Sequence, residues 1–170
     1  DPERVAALED ALAAAGHPVA RVVSIPDDEL PTIAELDAAD VGLLAIFTGD
    51  GTVNAAVSAL AGWQGRVLVL PGGTQNLFAK ACHGDLSELE IVERLGAGEL
   101  ADLRRPLIRT AHGDALCEVL AGPGAHWSDV REAMRELDIG AVASTMSTAI
   151  GQSAAGPQVA VVHPERGKPE

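Results

Sequence analysis

The sequence predicts an α/β fold in which a parallel sheet lies between helices, followed by a partial, β-rich second domain. Segments with strand and helix patterns alternate through the first hundred residues, an order that produces parallel strands joined by right-handed crossovers. Twice in succession, at 41–60 and at 66–81, a short apolar strand is followed by a glycine-rich turn and a helix. Such sheets bind ligands beyond the carboxyl ends of their strands, where both turns fall.

The elements before the first glycine turn are predicted from local signals. Asp1 and Pro2 are typical of a helix start, and apolar residues recur at helical spacing until Gly16 ends the run. The β-branched segment Val19 to Ile25 predicts a strand. A short helix is predicted over Ile33 to Ala38.

The central segments carry the alternation. Val41 to Phe47 is apolar on both faces, as expected of a parallel strand buried between helix layers, and Val53 to Leu60 continues as a helix. Arg66 to Leu70 predicts a second buried strand, followed by a helix from about Asn76 to Ala81. Leu86 to Leu95 predicts a further helix.

The pattern changes near residue 100, where we expect a domain boundary that separates residues 1–99 from residues 100–170. Strands are predicted over Leu103 to Thr110, Ala115 to Ala121 and Gln158 to Val162. Apolar residues at helical spacing predict an amphipathic helix between Val130 and Leu137.

Composition and charge exclude several classes of protein. The 170 residues are 47% hydrophobic and 22% charged, which is typical of a globular chain. The net charge of −13 disfavours nucleic acid as a partner. The longest central apolar run is far shorter than the roughly 20 residues that span a bilayer, and the chain does not open on a signal-peptide pattern, so we expect a cytoplasmic protein. Cys82 and Cys117 are too few for a disulfide framework.

The two glycine turns have the composition of an anion site. A backbone that approaches a phosphate closely needs residues without a Cβ, and amide groups at a helix N-terminus supply partial positive charge. Hydroxyl and amide side chains in the turns can bind phosphate oxygens or cap a helix. Asp50 would repel a phosphate unless it binds Mg²⁺ or a ligand hydroxyl, so it suggests metal or ribose contact. Asp-Gly is also a common simple turn, but two such turns at equivalent places favour anion binding.

These turns resemble a known group of kinases. Thr48-Gly-Asp-Gly-Thr-Val-Asn54 resembles the Gly-Gly-Asp-Gly-Thr signature of diacylglycerol, sphingosine and NAD kinases. Leu70-Pro-Gly-Gly-Thr-Gln-Asn-Leu-Phe-Ala79 is similar to the Pro-x-Gly-Thr-x-Asn-x-x-Ala segment of the diacylglycerol and sphingosine kinase catalytic domain. Asp102-Leu103 and Gly122-Pro-Gly124 extend the likeness more weakly.

The resemblance implies a Rossmann-like nucleotide-binding domain over residues 1–99 and a substrate domain over residues 100–170. It implies ATP and Mg²⁺ as cofactors, and transfer of the γ-phosphoryl group to a lipid hydroxyl such as that of diacylglycerol. It is compatible with transient membrane contact and with a homodimer. Asp50 is expected to be catalytic and to bind the metal. The residues expected to contact the nucleotide are Gly49, Asp50, Gly51, Thr52, Asn54, Gly72, Gly73, Thr74 and Asn76.

The sequence also departs from the kinase pattern. Thr48 stands where the signature has its first glycine, and the Asp-Gly-Glu segment associated with the family's catalytic base is not visible. Two alternatives therefore stay open beside a lipid kinase. One is a non-catalytic or truncated nucleotide-binding module of the same fold, and the other is an NAD kinase.

Overall fold

The computed structural model describes residues 2–111, 113–116 and 146. Its helices and strands follow one another in a largely alternating order that confirms the predicted α/β class. In chain order they are α1 (Pro2–Ala14), α2 (Ile33–Ala38), β1 (Leu43–Thr48), α3 (Asp50–Ala59), β2 (Arg66–Pro71), α4 (Leu77–His83), α5 (Glu88–Gly96), β3 (Ile108–Thr110) and β4 (Gly113–Ala115).

Strands β1 and β2 form a parallel pair between two layers of helices. Their register runs from Leu43 opposite Arg66 to Thr48 opposite Pro71, so both strands end at the same edge. Side chains alternate between the faces of a strand, and the burial follows that period. Leu68 and Leu70 pack in a cluster with residues of α1 and α5, whereas Val69 packs in the other cluster with residues of α3 and α4. The predicted parallel sheet between helices is confirmed.

Helices α1 and α5 lie against each other over one face of the sheet. A Cβ on Gly96 would come 3.0 Å from the Cβ of Ala15, so the glycine permits a close approach. Arg4 donates from Nε to the Glu88 carboxylate at 3.0 Å, and its guanidinium lies 4.8 Å from the centre of the Phe47 ring. Arg4 therefore joins both helices to the end of β1.

The Arg4–Glu88 pair makes a small part of the stability dependent on pH. Burial alone would raise the pKa of Glu88, but the hydrogen bond from Arg4, a hydrogen bond from the backbone amide of Glu88 and the charge of Arg4 together hold that pKa below its ordinary value. The stabilisation is therefore present above the unfolded-state pKa and is lost as the pH falls through the folded-state pKa. We expect Glu88→Gln to cost about 0.2–1 kcal/mol at neutral pH, the range of partly exposed ion pairs, and nothing at strongly acidic pH. Urea unfolding of the unmodified chain and of Glu88→Gln across this pH range measures the cost. An equal loss of stability at all pH values would contradict the prediction.

Two helices begin with reciprocal side-chain caps. The Thr32 hydroxyl accepts from the Glu35 amide while the Glu35 carboxylate accepts from the Thr32 amide, and Ser87 and Glu90 repeat the arrangement at α5. Such capping boxes satisfy backbone donors that have no partner inside the helix. The hydrogen bonds from Ser87 also lower the pKa of Glu90. Local sequence alone thus accounts for the start of α2 at the predicted residue.

The predicted strand over Val19 to Ile25 is wrong. This segment contains no strand, and most of its side chains are exposed, including Val22 at 45%. Its β-branched composition indicates a strand, but a strand forms only where a neighbour supplies ladder hydrogen bonds. In the described part of the chain β1 pairs with β2 alone, so this segment has no such neighbour.

The second β region is a short antiparallel hairpin. Strands β3 and β4 pair from Ile108 opposite Ala115 to Thr110 opposite Gly113, so only the end of the predicted strand over residues 103–110 is extended and paired. All the described helices and strands lie within one compact unit, Asp1–Cys117. The boundary near residue 100 stays a prediction. The remaining elements predicted over 117–121, 130–137 and 158–162, and the glycines at 122–124, lie outside the described residues.

Candidate functional site

The two glycine turns touch each other at the carboxyl edge of the sheet. Gly49 follows β1 and Gly73 lies two residues after β2. A Cβ on Gly73 would come within 2.5 Å of the Gly49 Cα, and a Cβ on Gly72 would come within 2.4 Å of the Phe47 carbonyl carbon. Both neighbours are backbone, which cannot swing aside as a long side chain can. Glycine is therefore required at 72 and 73 because one turn packs directly on the other.

The first turn leaves backbone donors available at the start of α3. Asp50 and Gly51 form the first helical turn, so the helix begins three residues before the predicted start at Val53. The N-cap Gly49 has no side chain to cap it, and within the described residues the amides of Gly51 and Thr52 donate to no acceptor. Apart from the adjoining residues and the backbone of its own helix, no atom of the described residues lies within 4 Å of a Cβ placed on Gly51. An anion can therefore reach the positive end of this helix.

The second turn is closed on itself by Asn76. The Asn76 side chain accepts from the Gly73 amide at 2.7 Å and donates to the Gly73 carbonyl at 2.9 Å. Asn76 has φ +53°, a left-handed conformation that asparagine tolerates better than most residues. The Gly72 amide donates to the Leu70 carbonyl at 2.9 Å. This turn is therefore a rigid support, and Thr74 is its exposed residue with a hydroxyl donor.

Asp50 joins the two turns through the backbone of α4. Its two carboxylate oxygens accept from the amides of Leu77 at 3.0 Å and Phe78 at 2.9 Å. The anion at the N-terminus of α4 is thus the protein's own carboxylate, and these two amides are already occupied. Since each carboxylate oxygen can accept more than one hydrogen bond or metal contact, Asp50 retains acceptor capacity.

The metal expectation falls on Asp50 alone. The described residues contain no group of three or more His, Cys, Asp or Glu side chains that could enclose a metal ion. Mg²⁺ does not need such an enclosure, because it is commonly held by one or two carboxylates together with substrate phosphates and water. A carboxylate oriented by two amides, beside an open helix N-terminus, fits that kind of binding.

Asn54 directs its side-chain amide toward the β3–β4 hairpin. Its Nδ2 donates to the Asp114 carbonyl at 2.9 Å, and its Oδ1 accepts from the Leu116 amide at 3.0 Å. Contact between Asn54 and a nucleotide stays a prediction. Sequence reasoning could not find these partners, nor the amides of Leu77 and Phe78, because every residue except proline carries the same backbone donor and acceptor.

One further polar contact was also missed from the sequence. The Arg105 guanidinium lies 5.8 Å from the centre of the Phe78 ring and donates to the Cys82 sulfur at 3.8 Å. Burial raises the pKa of the Cys82 thiol, although the charge of Arg105 opposes this shift. Arg105 thus packs along α4 between Phe78, whose amide donates to Asp50, and Cys82, which lies one turn further on.

Comparison with known proteins agrees with this arrangement. The family model of the diacylglycerol kinase catalytic domain matches residues 2–104, more than half of the chain. The chain belongs to the diacylglycerol kinase catalytic-domain family. No curated protein and no solved structure matches the chain significantly.

Membership confirms the resemblance seen in the two glycine turns. The matched region of this diacylglycerol kinase domain contains both turns and every helix and strand from α1 to α5. It assigns the chain to a kinase family in general terms. Within the described residues, none of this domain's helices has both the length and the apolar character needed to cross a bilayer.

Proposed function

We propose that this chain is an ATP- and Mg²⁺-dependent lipid kinase that transfers the γ-phosphoryl group to a lipid hydroxyl such as that of diacylglycerol. One observation carries the proposal. The amides of Gly51 and Thr52, which donate to no acceptor among the described residues, lie beside a fixed carboxylate at the sheet edge where α/β folds bind ligands. Family membership supplies the reaction class.

Each part of the site has a role in this proposal. The amides of Gly51 and Thr52 would hold phosphate oxygens, and the hydroxyls of Thr52 and Thr74 would add donors. Gly49, Gly72 and Gly73 allow the backbones of the two turns to pack directly on each other. Asn76 fixes the second turn, whereas the side-chain amide of Asn54 is engaged with the β3–β4 hairpin.

Asp50 is the proposed catalytic and metal-binding residue. Its carboxylate does not have to find its orientation when the ligand binds, because two backbone amides already set it. Bound Mg²⁺ would neutralise charge that develops on the phosphate oxygens. Phosphoryl transfer depends mainly on positioning and charge stabilisation, which a preoriented carboxylate and the backbone amides at the start of α3 can provide.

The acceptor is tested with the full chain. Isothermal titration calorimetry with ATP, with and without Mg²⁺, measures nucleotide binding, and labelled phosphate transfer compares diacylglycerol vesicles with NAD. We expect Mg²⁺-dependent ATP binding and transfer to diacylglycerol only. Transfer to NAD would favour the NAD kinase alternative. ATP binding without transfer to any acceptor would favour a non-catalytic module.

We also propose a cytoplasmic location with transient membrane contact, since a diacylglycerol acceptor resides in a bilayer. Leu103 is 67% exposed and is followed in the chain by the exposed Arg104, and Ile108 in β3 is 46% exposed; exposed apolar side chains with a basic residue suit an anionic lipid surface. Sedimentation with the assay vesicles measures this contact. Equal sedimentation with neutral and anionic vesicles would count against the role of Arg104.

A further inference from the structure

Asn54 binds the hairpin in the way that a neighbouring strand would. Asp114 and Leu116 are two residues apart, so the carbonyl and the amide that Asn54 engages lie on the same edge of the extended segment. The opposite edge of β4 is paired with β3. One partly buried side-chain amide therefore satisfies two backbone groups that are 60 and 62 residues away along the chain.

The attachment point on α3 is close to the proposed phosphate site. Asn54 follows Asp50 by four residues, so both side chains lie on the same face of the helix, one turn apart. Asp50 holds the start of α4, and Asn54 holds the hairpin. The Leu116 side chain also packs against the cluster that includes Val53. A single helical face thus fastens two elements to α3, whose Gly51 and Thr52 amides donate to no acceptor in the part of the chain that the structure describes.

We propose that Asn54 is a positioning residue for phosphoryl transfer. It fastens the β3–β4 hairpin, which belongs to the predicted substrate domain, to the helix whose N-terminus would hold the nucleotide phosphates. We call this two-point contact between Asn54 and the backbone of Asp114 and Leu116 the hairpin clasp. The two hydrogen bonds of the clasp are observed in the structure, whereas its effect on lipid phosphorylation rests on the proposed function.

Two variants and one control test the clasp. Asn54→Asp keeps the size and the oxygen that accepts from Leu116, but it sets a second oxygen against the Asp114 carbonyl. Asn54→Ala removes both contacts. Ser58→Ala is the control, because Ser58 is exposed one turn further along α3 and makes no side-chain hydrogen bond among the described residues.

Hydrogen exchange at the Leu116 amide measures whether the clasp is formed, independently of enzymatic activity. We expect exchange about tenfold faster in Asn54→Ala, because its acceptor is lost, and unchanged exchange in Ser58→Ala. In the transfer assay, we expect kcat/KM for the lipid to fall about tenfold or more in both Asn54 variants, while the Kd for Mg·ATP changes less than about twofold.

Three results would overturn the proposal. Unchanged Leu116 exchange in Asn54→Ala would show that Asn54 does not hold the hairpin. A tenfold weaker Mg·ATP affinity with unchanged lipid kinetics would make Asn54 a nucleotide ligand, and faster exchange with normal lipid kinetics would make the clasp structural only. If the unmodified chain phosphorylates no lipid, the proposed function fails, whereas faster Leu116 exchange in Asn54→Ala would still support the clasp.

Discussion

Replacing Asp50 with alanine is expected to abolish phosphoryl transfer and to lower the free energy of unfolding by about 2 kcal/mol. The stability loss follows because the Leu77 and Phe78 amides lose a charged acceptor, and hydrogen bonds to charged groups are worth about 1.5–3 kcal/mol. The activity loss follows because the proposed metal-binding carboxylate is gone. Urea unfolding and transfer of labelled phosphate to diacylglycerol measure the two effects.

Asp50→Asn separates the two roles of this side chain. Asparagine keeps the shape and one acceptor oxygen but has no charge, so we expect a smaller loss of stability and the same loss of transfer. Asp85→Ala is the matched control, since Asp85 is exposed and makes no hydrogen bond through its side chain within the described residues. Full transfer activity in Asp50→Asn would contradict a metal-binding role.

Gly72→Ala is expected to destabilise the chain by about 3 kcal/mol or more, at the upper end of overpacking costs. A Cβ at this position would lie 2.4 Å from the Phe47 carbonyl carbon and 2.5 Å from the Thr48 nitrogen. Strand β1 cannot retreat, because Phe47 and Thr48 are in register with the last residues of β2. Urea unfolding followed by circular dichroism measures the loss.

Gly51→Ala is the matched comparison and is expected to do the reverse. Within the described part of the chain the new methyl group meets no atom within 4 Å outside its own helix and adjoining residues, and alanine is favoured over glycine in a helix by about 0.5–1 kcal/mol. We therefore expect equal or greater stability, but weaker Mg·ATP binding, because the methyl group occupies the space a phosphate would approach. Unchanged ATP affinity in Gly51→Ala would argue against the start of α3 as the nucleotide site. Unchanged stability in Gly72→Ala would contradict the direct packing of one turn on the other.

Most of the first domain could be predicted because its signals are local. Apolar runs, helical spacing and glycine turns depend only on the residues of each element itself. The bounds of β1, β2 and α2 lie within two residues of the predicted ones. The exception is Val19 to Ile25, which has the composition of a strand but pairs with no strand among the described residues. Sheet formation depends on a neighbour as well as on propensity.

The sequence by itself determined the α/β class, the kinase family resemblance and the place of both glycine turns at strand ends. Only the tertiary structure decided what the polar side chains of these turns contact. The partners of Asp50 are amides 27 and 28 residues away, and those of Asn54 are 60 and 62 residues away. Every residue except proline carries the same backbone donor, so residue identity cannot reveal which amide a distant side chain will meet. The packing of the chain brings those groups together.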